Sequence, residues 1–247
     1  MNVLFVSDLH LSSERMTKLA LFGRLLEHAA RDCEALYILG DLFEYWVGDD
    51  DDTPPHPQVL RMLAAFSAAG RSLYMMHGNR DFLVGERFLA ATGCRLLADP
   101  LVVPIHGVPT LLMHGDLLCT GDLPYQQLRR TVRSPDWQRE ALARPLIERR
   151  AIAGSMRAGS VEATASKREE LMDVEQSTVN EFMRRHAVTR LVHGHTHRPA
   201  VHEFELDGQR ARRTVLGDWY EDDCVLVCSG ADRQLLLGVE DYLAGSA

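Results

Sequence analysis

The sequence predicts an α/β fold in which strands and helices alternate and one long helical segment is inserted. Two observations favour this class. Short apolar runs rich in β-branched and aromatic residues recur on both sides of the insertion, as expected of buried strands. At about residues 120–188 apolar side chains instead take helical spacing. A chain of 247 residues with 46% hydrophobic side chains can bury a full core, so we expect one domain over residues 1–247.

Four apolar runs before the insertion are the first predicted strands, and each leads to a residue type that binds metals. Amphipathic patterns at about 17–31 and 58–69 predict helices that cover the outer faces of the core. Gly40 would let the chain turn tightly where the second run ends. The four predicted strands are residues 3–6, 36–39, 73–76 and 110–113.

The insertion, defined here as residues 120–188, shows helical periodicity in three stretches, at about 125–132, 137–147 and 167–185. Breaks are predicted at Ser134-Pro135 and over residues 154–160, where the stretch around Ser160 would suit a hinge. A helical block between two strands of an α/β core predicts a lid over one edge of the sheet.

After the insertion the sequence predicts further strands. Asp207-Gly208 is a strong hairpin signal between the segments 201–206 and 210–216. Hairpin strands run antiparallel, whereas helical crossovers join parallel strands, so we expect mixed sheets. The additional predicted strands are residues 190–192, 224–228 and 234–239.

Five short signatures place metal-binding side chains beside glycine or directly after an apolar run. In sheets with helical crossovers, ligands collect beyond the carboxyl ends of the strands. Residues i and i+2 of an extended chain point to the same side, so both can reach one ion. We therefore expect the signatures to meet at one edge. They are Asp8-x-His10, Gly40-Asp41, Gly78-Asn79-Arg80-Asp81, His114-Gly115-Asp116 and Gly194-His195-Thr196-His197.

The donors in these signatures predict a two-metal site. Taken singly, each aspartate could be a turn or helix-cap residue and each histidine a packed one. Imidazole, carboxylate and amide oxygen without thiolate favour Mn, Fe, Co or Zn in a catalytic site. Seven donors exceed the needs of one ion and suit two that share a carboxylate, a pair that can stabilise in-line displacement at phosphorus. The donors are Asp8, His10, Asp41, Asn79, His114, His195 and His197.

These signatures resemble those of the calcineurin-like metallophosphoesterase superfamily over nearly the whole chain. The resemblance implies a two-sheet αββα sandwich with the inserted helical lid, and two divalent ions, with Mn²⁺ favoured. It implies that Asp41 bridges the two ions. The first metal would be held by Asp8, His10, Asp41 and His197. The second would be held by Asp41, Asn79, His114 and His195.

Arg80 departs from the superfamily pattern, in which a histidine follows Gly-Asn and assists the leaving group. Arginine stays protonated at ordinary pH, so it is a poor proton donor but a good partner for phosphate oxygens. A phosphate monoester, whose second pKa is about 6, leaves well as an anion, whereas an alkoxide does not. Arg80 therefore favours cleavage of a P–O–P linkage, with Asn79 and His195 as the other catalytic residues.

The segments 40–44, 78–82 and 216–219 are similar to the branch that acts on UDP-2,3-diacylglucosamine in lipid A biosynthesis. The resemblance implies hydrolysis of the pyrophosphate bond to UMP and 2,3-diacylglucosamine 1-phosphate, by attack at the uridine-side phosphorus. Thr164 is a mild departure, because related enzymes carry asparagine there. The substrate-binding residues implied are Asn79, Arg80, Asp122, Ser160, Thr164, Lys167 and His195.

Charge and composition bound the partners. The net charge of −8 excludes general attraction to nucleic acid, but residues 123–170 hold ten basic side chains against six acidic ones. This excess could be a solvated helix face or could attract anionic lipid headgroups. Apolar faces in the insertion could be ordinary packing or could line a site for the acyl chains of a nucleotide-sugar glycolipid. The acidic run at 49–52 is expected to be a solvated loop.

The expected setting is the cytoplasm, as a monomer peripheral on the cytoplasmic face of the inner membrane. No signal peptide and no run of about 20 apolar residues is visible, and five scattered cysteines suggest reduced thiols.

Two alternative functions remain. One is another metallophosphoesterase, such as a cyclic nucleotide phosphodiesterase or phosphoprotein phosphatase, against which the insertion and Arg80 count. The other is a non-catalytic scaffold, which usually loses donors that are all present here.

Overall fold

Two mixed β-sheets form the centre of the computed structural model, which describes residues 1–166, 173–230 and 234–245 but not the side chains of 158–166 and 235. In the first sheet the first four strands of the chain run parallel to one another. The second-to-last strand pairs antiparallel with the first strand, and the last strand pairs antiparallel with the second-to-last. In order across that sheet they are β11 (Gln234–Gly238), β10 (Cys224–Cys228), β1 (Asn2–Val6), β2 (Cys33–Ile38), β3 (Ser72–Met76) and β4 (Arg95–Leu97).

The second sheet has three parallel strands flanked on each side by an antiparallel one. The predicted hairpin at Asp207-Gly208 is confirmed as its outer pair, with Leu206 opposite Gln209. In order across the sheet the strands are β5 (Leu101–Ile105), β6 (Val108–Met113), β7 (Arg190–His193), β9 (Gln209–Val215) and β8 (Ala200–Leu206).

The two sheets pack face to face, and helices cover their outer faces. Strand β1 shows why: Val3 and Phe5 join a cluster with Leu112 and Val192 of the second sheet, whereas Leu4 and Val6 face the helices. Successive side chains of a strand point to opposite faces, so a strand buried on both sides is apolar throughout. The αββα sandwich predicted from the sequence is confirmed.

Helices on the outer face of the first sheet contribute residues such as Phe22 and Phe66 to the largest apolar cluster. A separate cluster joins Val179 and Met183 to the outer face of the second sheet. The helices over the first sheet are α1 (Met16–Asp32), α2 (His56–Ala68), α3 (Glu86–Thr92) and α8 (Val239–Leu243); the helix over the second is α7 (Gln176–Arg185).

Three more helices, followed by α7, lie between β6 and β7, as predicted for the insertion. They are α4 (Leu123–Val132), α5 (Pro135–Leu142) and α6 (Leu146–Ser166). The predicted break at 154–160 is wrong, because α6 runs through it and Ser160 lies on a helix rather than at a hinge. The predicted helix at 137–147 is instead divided before Pro145, and part of the predicted helix at 167–185 lies outside the described residues.

The acidic run at 49–52 is a loop, as predicted, but it is only partly solvated. Asp50 pairs with Arg149 of α6, and Asp51, only 3% exposed, pairs with Arg150 at 2.6 Å. Asp49 accepts hydrogen bonds from the backbone N–H groups of Arg87 and Phe88 at the start of α3. The run therefore fixes the insertion and α3 to the core, which required contacts about a hundred residues away in sequence.

Among the helices that the structure describes, none has both the length and the apolar character needed to cross a membrane.

Two strands and two short helices were not predicted: β4, β5, α3 and α8. Strand β4 has three residues and β5 contains Pro104, so neither carries a clear strand pattern.

Candidate active site

The five signatures meet where the carboxyl ends of the two sheets adjoin, as predicted. Loops after β1, β2 and β3 of the first sheet supply Asp8, His10, Asp41 and Asn79. Loops after β6 and β7 of the second sheet supply His114, His195 and His197. The cluster therefore spans the junction of the sheets, and neither sheet alone could hold it.

The backbone at five of these seven residues takes a conformation that the sequence did not reveal. Asp8, His10, Asp41, His195 and His197 all have φ between 46° and 71°. The expectation that residues i and i+2 converge along an extended chain is therefore wrong. The loops instead turn through the left-handed region, which costs about 1–3 kcal/mol per non-glycine residue and is typical of functional sites.

Close packing between the loops offsets this strain. The backbone N–H of Asp8 donates to Gly40 O at 3.1 Å, and that of His10 donates to Asp41 O at 3.0 Å. Gly40 has φ of 92°, and a Cβ there would lie 2.7 Å from His114 Nδ1. A residue larger than glycine at this position would therefore displace a donor of the cluster.

The first group of donors surrounds Asp8 Oδ1. His197 Nε2 lies 3.4 Å from this oxygen and His10 Nε2 lies 4.0 Å from it. His10 Nε2 is also 3.8 Å from Asp41 Oδ2. Donors bonded to one transition-metal ion at about 2.0–2.2 Å lie about 3–4 Å apart, so this spacing suits an ion at their centre.

The second group surrounds the amide oxygen of Asn79. This oxygen lies 2.9 Å from His114 Nε2 and 3.0 Å from His195 Nδ1. His114 Nε2 is 3.9 Å from Asp41 Oδ1, so the two oxygens of the Asp41 carboxylate face the two groups separately. This is the arrangement that a bridging carboxylate requires.

Unsatisfied atoms support the fit of a cation. Asp8 Oδ1 and His10 Nε2 are buried and accept or donate no hydrogen bond among the described residues. Buried polar groups are normally paired, because leaving one unpaired costs about 1–3 kcal/mol. A carboxylate oxygen and an imidazole nitrogen facing each other in this state are ligands for a divalent metal ion.

Neighbouring carboxylates raise the pKa of two imidazoles in the cluster. Burial alone would lower the pKa of His114, but Asp41, Asp8 and Asp116 raise it to about 9. Burial likewise opposes charge on His197, yet the neighbouring carboxylates of Asp218 and Asp8 raise its pKa to about 10. Burial raises the pKa of Asp41 to about 7. The carboxylates therefore favour positive charge at this place in the cluster.

Arg80 and Asp122 line the cavity beside these donors, as two of the predicted substrate-binding residues. The backbone N–H of Arg80 donates to Asp41 Oδ1 at 2.8 Å, and its side-chain Nε has no hydrogen-bond partner within the described part of the chain. Asp122 caps α4 by accepting from Tyr125 N at 3.2 Å. Ser160 and Thr164 lie on α6 with side chains outside the described set, and Lys167 lies outside the described residues.

Comparisons with known proteins agree with this geometry. The profile of calcineurin-like phosphoesterases matches residues 1–199. The chain belongs to the calcineurin-like phosphoesterase family. It is 50% identical to the UDP-2,3-diacylglucosamine hydrolase of Aeromonas salmonicida (strain A449) over 95% of this chain and 92% of that protein. It is 47% identical to the enzyme of the same name from Escherichia coli O7:K1 over 96% of this chain and 98% of that one.

Solved structures that align with this chain are more distant in sequence. The structure of an archaeal phosphodiesterase aligns with 96% of this chain and 100% of that chain, at 14% identity and with a TM-score of 0.49.

A cavity of about 760 Å³ extends from the metal-binding cluster of this phosphoesterase to the space beneath the insertion. The core contributes His10, Asn79 and Arg80 at one end, and the ring of Phe82 lies 6.0 Å from that of Trp137 on α5. Ligand pockets commonly have volumes of about 300–1,000 Å³ and mostly apolar walls. The apolar side chains contributed by the insertion include Leu128, Val132, Trp137, Ala141, Ile152 and Met156.

Several residues of the phosphoesterase site were not predicted. Asp116, part of a signature, accepts hydrogen bonds from Tyr125 Oη at 2.6 Å and Arg129 Nε at 2.7 Å, which ties α4 to the site. Asp218 holds His197 at 2.9 Å. The sequence Gly217-Asp218, which follows β9, repeats the pattern of Gly40-Asp41 after β2 and could have indicated Asp218.

Proposed function

We propose that this phosphoesterase hydrolyses the pyrophosphate bond of UDP-2,3-diacylglucosamine, giving UMP and 2,3-diacylglucosamine 1-phosphate, a step of lipid A biosynthesis. The observation that carries the proposal is the single cavity that joins the Asp/His cluster to an apolar space under the insertion. A diphosphate linked to two acyl chains needs both parts at once. The name of the relatives that share 47–50% of their residues supports the same substrate.

The cofactors we propose are two divalent metal ions, with Mn²⁺ as the expected element. Asp8, His10, Asp41 and His197 would hold one ion, while Asn79, His114 and His195 would hold the other together with Asp41. When bound, the pair would offset the negative charge of the diphosphate and lower the pKa of a water molecule.

The side chains next to the cluster would then orient and stabilise the diphosphate. Arg80 lines the cavity, so its guanidinium can bind phosphate oxygens on which negative charge develops. Asn79 and His195 would contact the same oxygens. Because an arginine side chain is a poor proton donor, the leaving group must depart without receiving a proton, as a phosphate monoester can and an alkoxide cannot.

We propose that the insertion acts as a lid within one metallophosphoesterase domain spanning residues 1–247. Asp122, Ser160, Thr164 and Lys167 would bind the sugar, amide and diphosphate groups from the lid side. The acyl chains would lie between α4, α5 and α6, where each buried methylene contributes about 0.8 kcal/mol.

We also propose that the enzyme works in the cytoplasm as a monomer and rests on the anionic surface of the inner membrane, where a diacylated substrate resides. Leu123 and Ile147, on α4 and α6, are 71% and 73% exposed. Both lie in the segment with ten basic side chains, a combination that favours peripheral contact with anionic lipid. The net charge of −8 argues against nucleic acid as a partner.

The test is product analysis after incubation with UDP-2,3-diacylglucosamine and Mn²⁺ in ¹⁸O-labelled water. We expect equal amounts of UMP and lipid 1-phosphate, with the label in UMP, because attack at the uridine-side phosphorus places the new oxygen there. A cyclic nucleotide, a phosphopeptide and an alkyl phosphodiester serve as competing substrates. Faster hydrolysis of any of these three than of the glycolipid would contradict the proposal.

A further inference from the structure

Glu44 is a buried carboxylate beside the metal-binding cluster that none of the roles above uses. It follows Asp41 by three residues and is only 4% exposed. One of its oxygens accepts a hydrogen bond from Tyr220 Oη, and the other lies 2.9 Å from Nε of Arg157 on α6. The oxygen bound by Tyr220 also lies 3.8 Å from His10 Nδ1. Glu44 thus faces both a donor of the cluster and the insertion.

Two other histidines of the cluster show what a partner of His10 Nδ1 would do. His114 Nδ1 lies 2.8 Å from Leu39 O, and His197 Nδ1 lies 2.9 Å from Asp218 Oδ2. In both rings this contact leaves Nε2 directed at the cluster. Metal-binding histidines almost always donate their second N–H to a carboxylate or carbonyl, which fixes the tautomer and raises the basicity of the ring.

His10 has the same orientation without the final contact. Its Nε2 faces Asp8 and Asp41, while Nδ1 has no hydrogen-bond partner among the residues that the structure describes. An N–H···O hydrogen bond has a nitrogen–oxygen distance of at most about 3.2 Å. His10 Nδ1 lies 3.8 Å from the nearest Glu44 oxygen, which is less than 1 Å beyond that limit. A small movement of either side chain would complete the contact.

Tyr220 and Arg15 hold the backbone around His10, so the movement would involve only the His10 ring and the Glu44 carboxylate. The Tyr220 ring packs on His10 with centroids 5.0 Å apart, and the Arg15 guanidinium lies 4.0 Å over the Tyr220 ring. Arg15 also donates to the backbone oxygens of Leu9 and His10, at 3.2 Å and 3.3 Å. The loop that carries His10 is therefore held from outside, and Glu44 is held by Tyr220.

Arg157 gives the same carboxylate a second function. Its side chain is 43% exposed, so it has freedom to leave, and its ion pair with Glu44 joins α6 to the wall of the cluster. When Arg157 withdraws, the Glu44 carboxylate keeps only Tyr220 as a hydrogen-bond partner among the described residues, so it is held less firmly beside His10. The position of the insertion is therefore linked to the environment of one metal donor.

We propose that Glu44 is a positioning residue that orients His10 for the first metal ion and couples docking of α6, through Arg157, to affinity for that ion. The proposal rests on the proposed two-metal function. It requires that metal binding and docking of the insertion change each other by the same factor, since coupling between two equilibria is reciprocal.

Titration of the metal-free full chain with Mn²⁺, with free ion counted by its solution EPR spectrum, tests the first half. We expect Glu44→Ala to weaken one of two bound equivalents about tenfold or more, the range typical of such partners of metal ligands. Glu44→Gln keeps an acceptor for His10, so its affinity for this equivalent should lie between that of the wild type and that of Glu44→Ala. Tyr220→Phe removes only the hydroxyl contact with Glu44 and should weaken the same equivalent less.

Asp207→Asn is the matched control, because Asp207, in the hairpin turn between β8 and β9, forms an exposed ion pair with Arg184 at the end of the second sheet opposite the cluster. It should bind both equivalents as the wild type does. Wild-type affinity in Glu44→Gln, Glu44→Ala and Tyr220→Phe alike would overturn the proposal. If the wild type bound no Mn²⁺ at all, the proposed two-metal function would fail instead, so the two failures are distinguishable.

Hydrogen–deuterium exchange of residues 146–157, with and without Mn²⁺, tests the coupling. We expect Mn²⁺ to slow exchange in this part of α6 in the wild type. Arg157→Ala should abolish that effect, whereas Arg184→Ala, which also removes an arginine from an ion pair, should retain it. Equal Mn²⁺-dependent protection in Arg157→Ala and the wild type would overturn the coupling.

Discussion

His197 Nδ1 lies 2.9 Å from Asp218 Oδ2, and the opposite nitrogen of the same ring lies 3.4 Å from Asp8 Oδ1. The Asp218 carboxylate thus holds the His197 ring, whose opposite nitrogen faces the Asp8 carboxylate. A histidine held in this way presents Nε2 to a metal ion as a fixed and more basic ligand. The contact joins the loop after β9 to the loop after β7, which are neighbours only in the folded second sheet.

Replacing Asp218 should therefore weaken metal binding. Asp218→Asn can still accept hydrogen bonds from the backbone N–H groups of Tyr220 and Glu221, so the turn is retained. We expect affinity for Mn²⁺ to fall about 10–100-fold, as is typical for such a partner. Calorimetric titration measures it, with circular dichroism as a check on folding. Unchanged affinity would show that Asp218 only shapes the turn.

Replacing Arg80 should change the preferred leaving group. With Arg80→Ala we expect kcat for pyrophosphate cleavage to fall about 10²–10³-fold, as when one charge-stabilising donor is removed. With Arg80→His a proton donor becomes available, so the ratio of alkyl phosphodiester to pyrophosphate hydrolysis should rise. Bound Mn²⁺, measured by elemental analysis, should remain at the wild-type level in both variants. A ratio that stays constant in Arg80→His would contradict the leaving-group argument.

Metal binding should release protons. His114 and His197, with pKa values raised to about 9 and about 10, are protonated at pH 7.5 in the metal-free protein. Both must lose the proton to bind a metal, so we expect release of about two protons. Below these pKa values protons compete with the metal ions for the imidazole nitrogens, so the affinity for Mn²⁺ should rise with pH up to about 9–10. Calorimetry in buffers of different ionisation heat counts the protons, and a count near zero would refute the prediction.

Trimming the apolar wall should affect only substrates with acyl chains. Trp137 lines the cavity on α5 and packs near Phe82. If Trp137→Ala removes the burial of about two methylenes, at about 0.8 kcal/mol each, KM should rise about tenfold. Hydrolysis of a short, water-soluble diphosphate ester by the same variant should keep the wild-type KM. An equal rise for both substrates would mean that Trp137 supports the fold rather than the acyl site.

The sequence alone determined the strands that carry the site and the donors that follow them. The strands were predictable because β1, β2, β3 and β6 are buried on both faces, which requires continuous apolar runs. The donors were predictable because metal-binding side chains next to glycine at strand ends form a pattern that local chemistry imposes. The same locality made the hairpin at Asp207-Gly208 predictable, since two residues suffice to specify that turn.

Only the tertiary structure decided how the donors meet. Asp8 and His10 reach the cluster through left-handed backbone, which long-range hydrogen bonds to Gly40 and Asp41 maintain against the local preference for an extended chain. Glu44 and Asp218 acquire their places from contacts with residues distant in sequence, and no local pattern encodes such contacts. Long-range contacts also explain two other differences. Ion pairs with distant residues bury part of the loop at 49–52, and residues 154–160, where a break was predicted, are helical within α6.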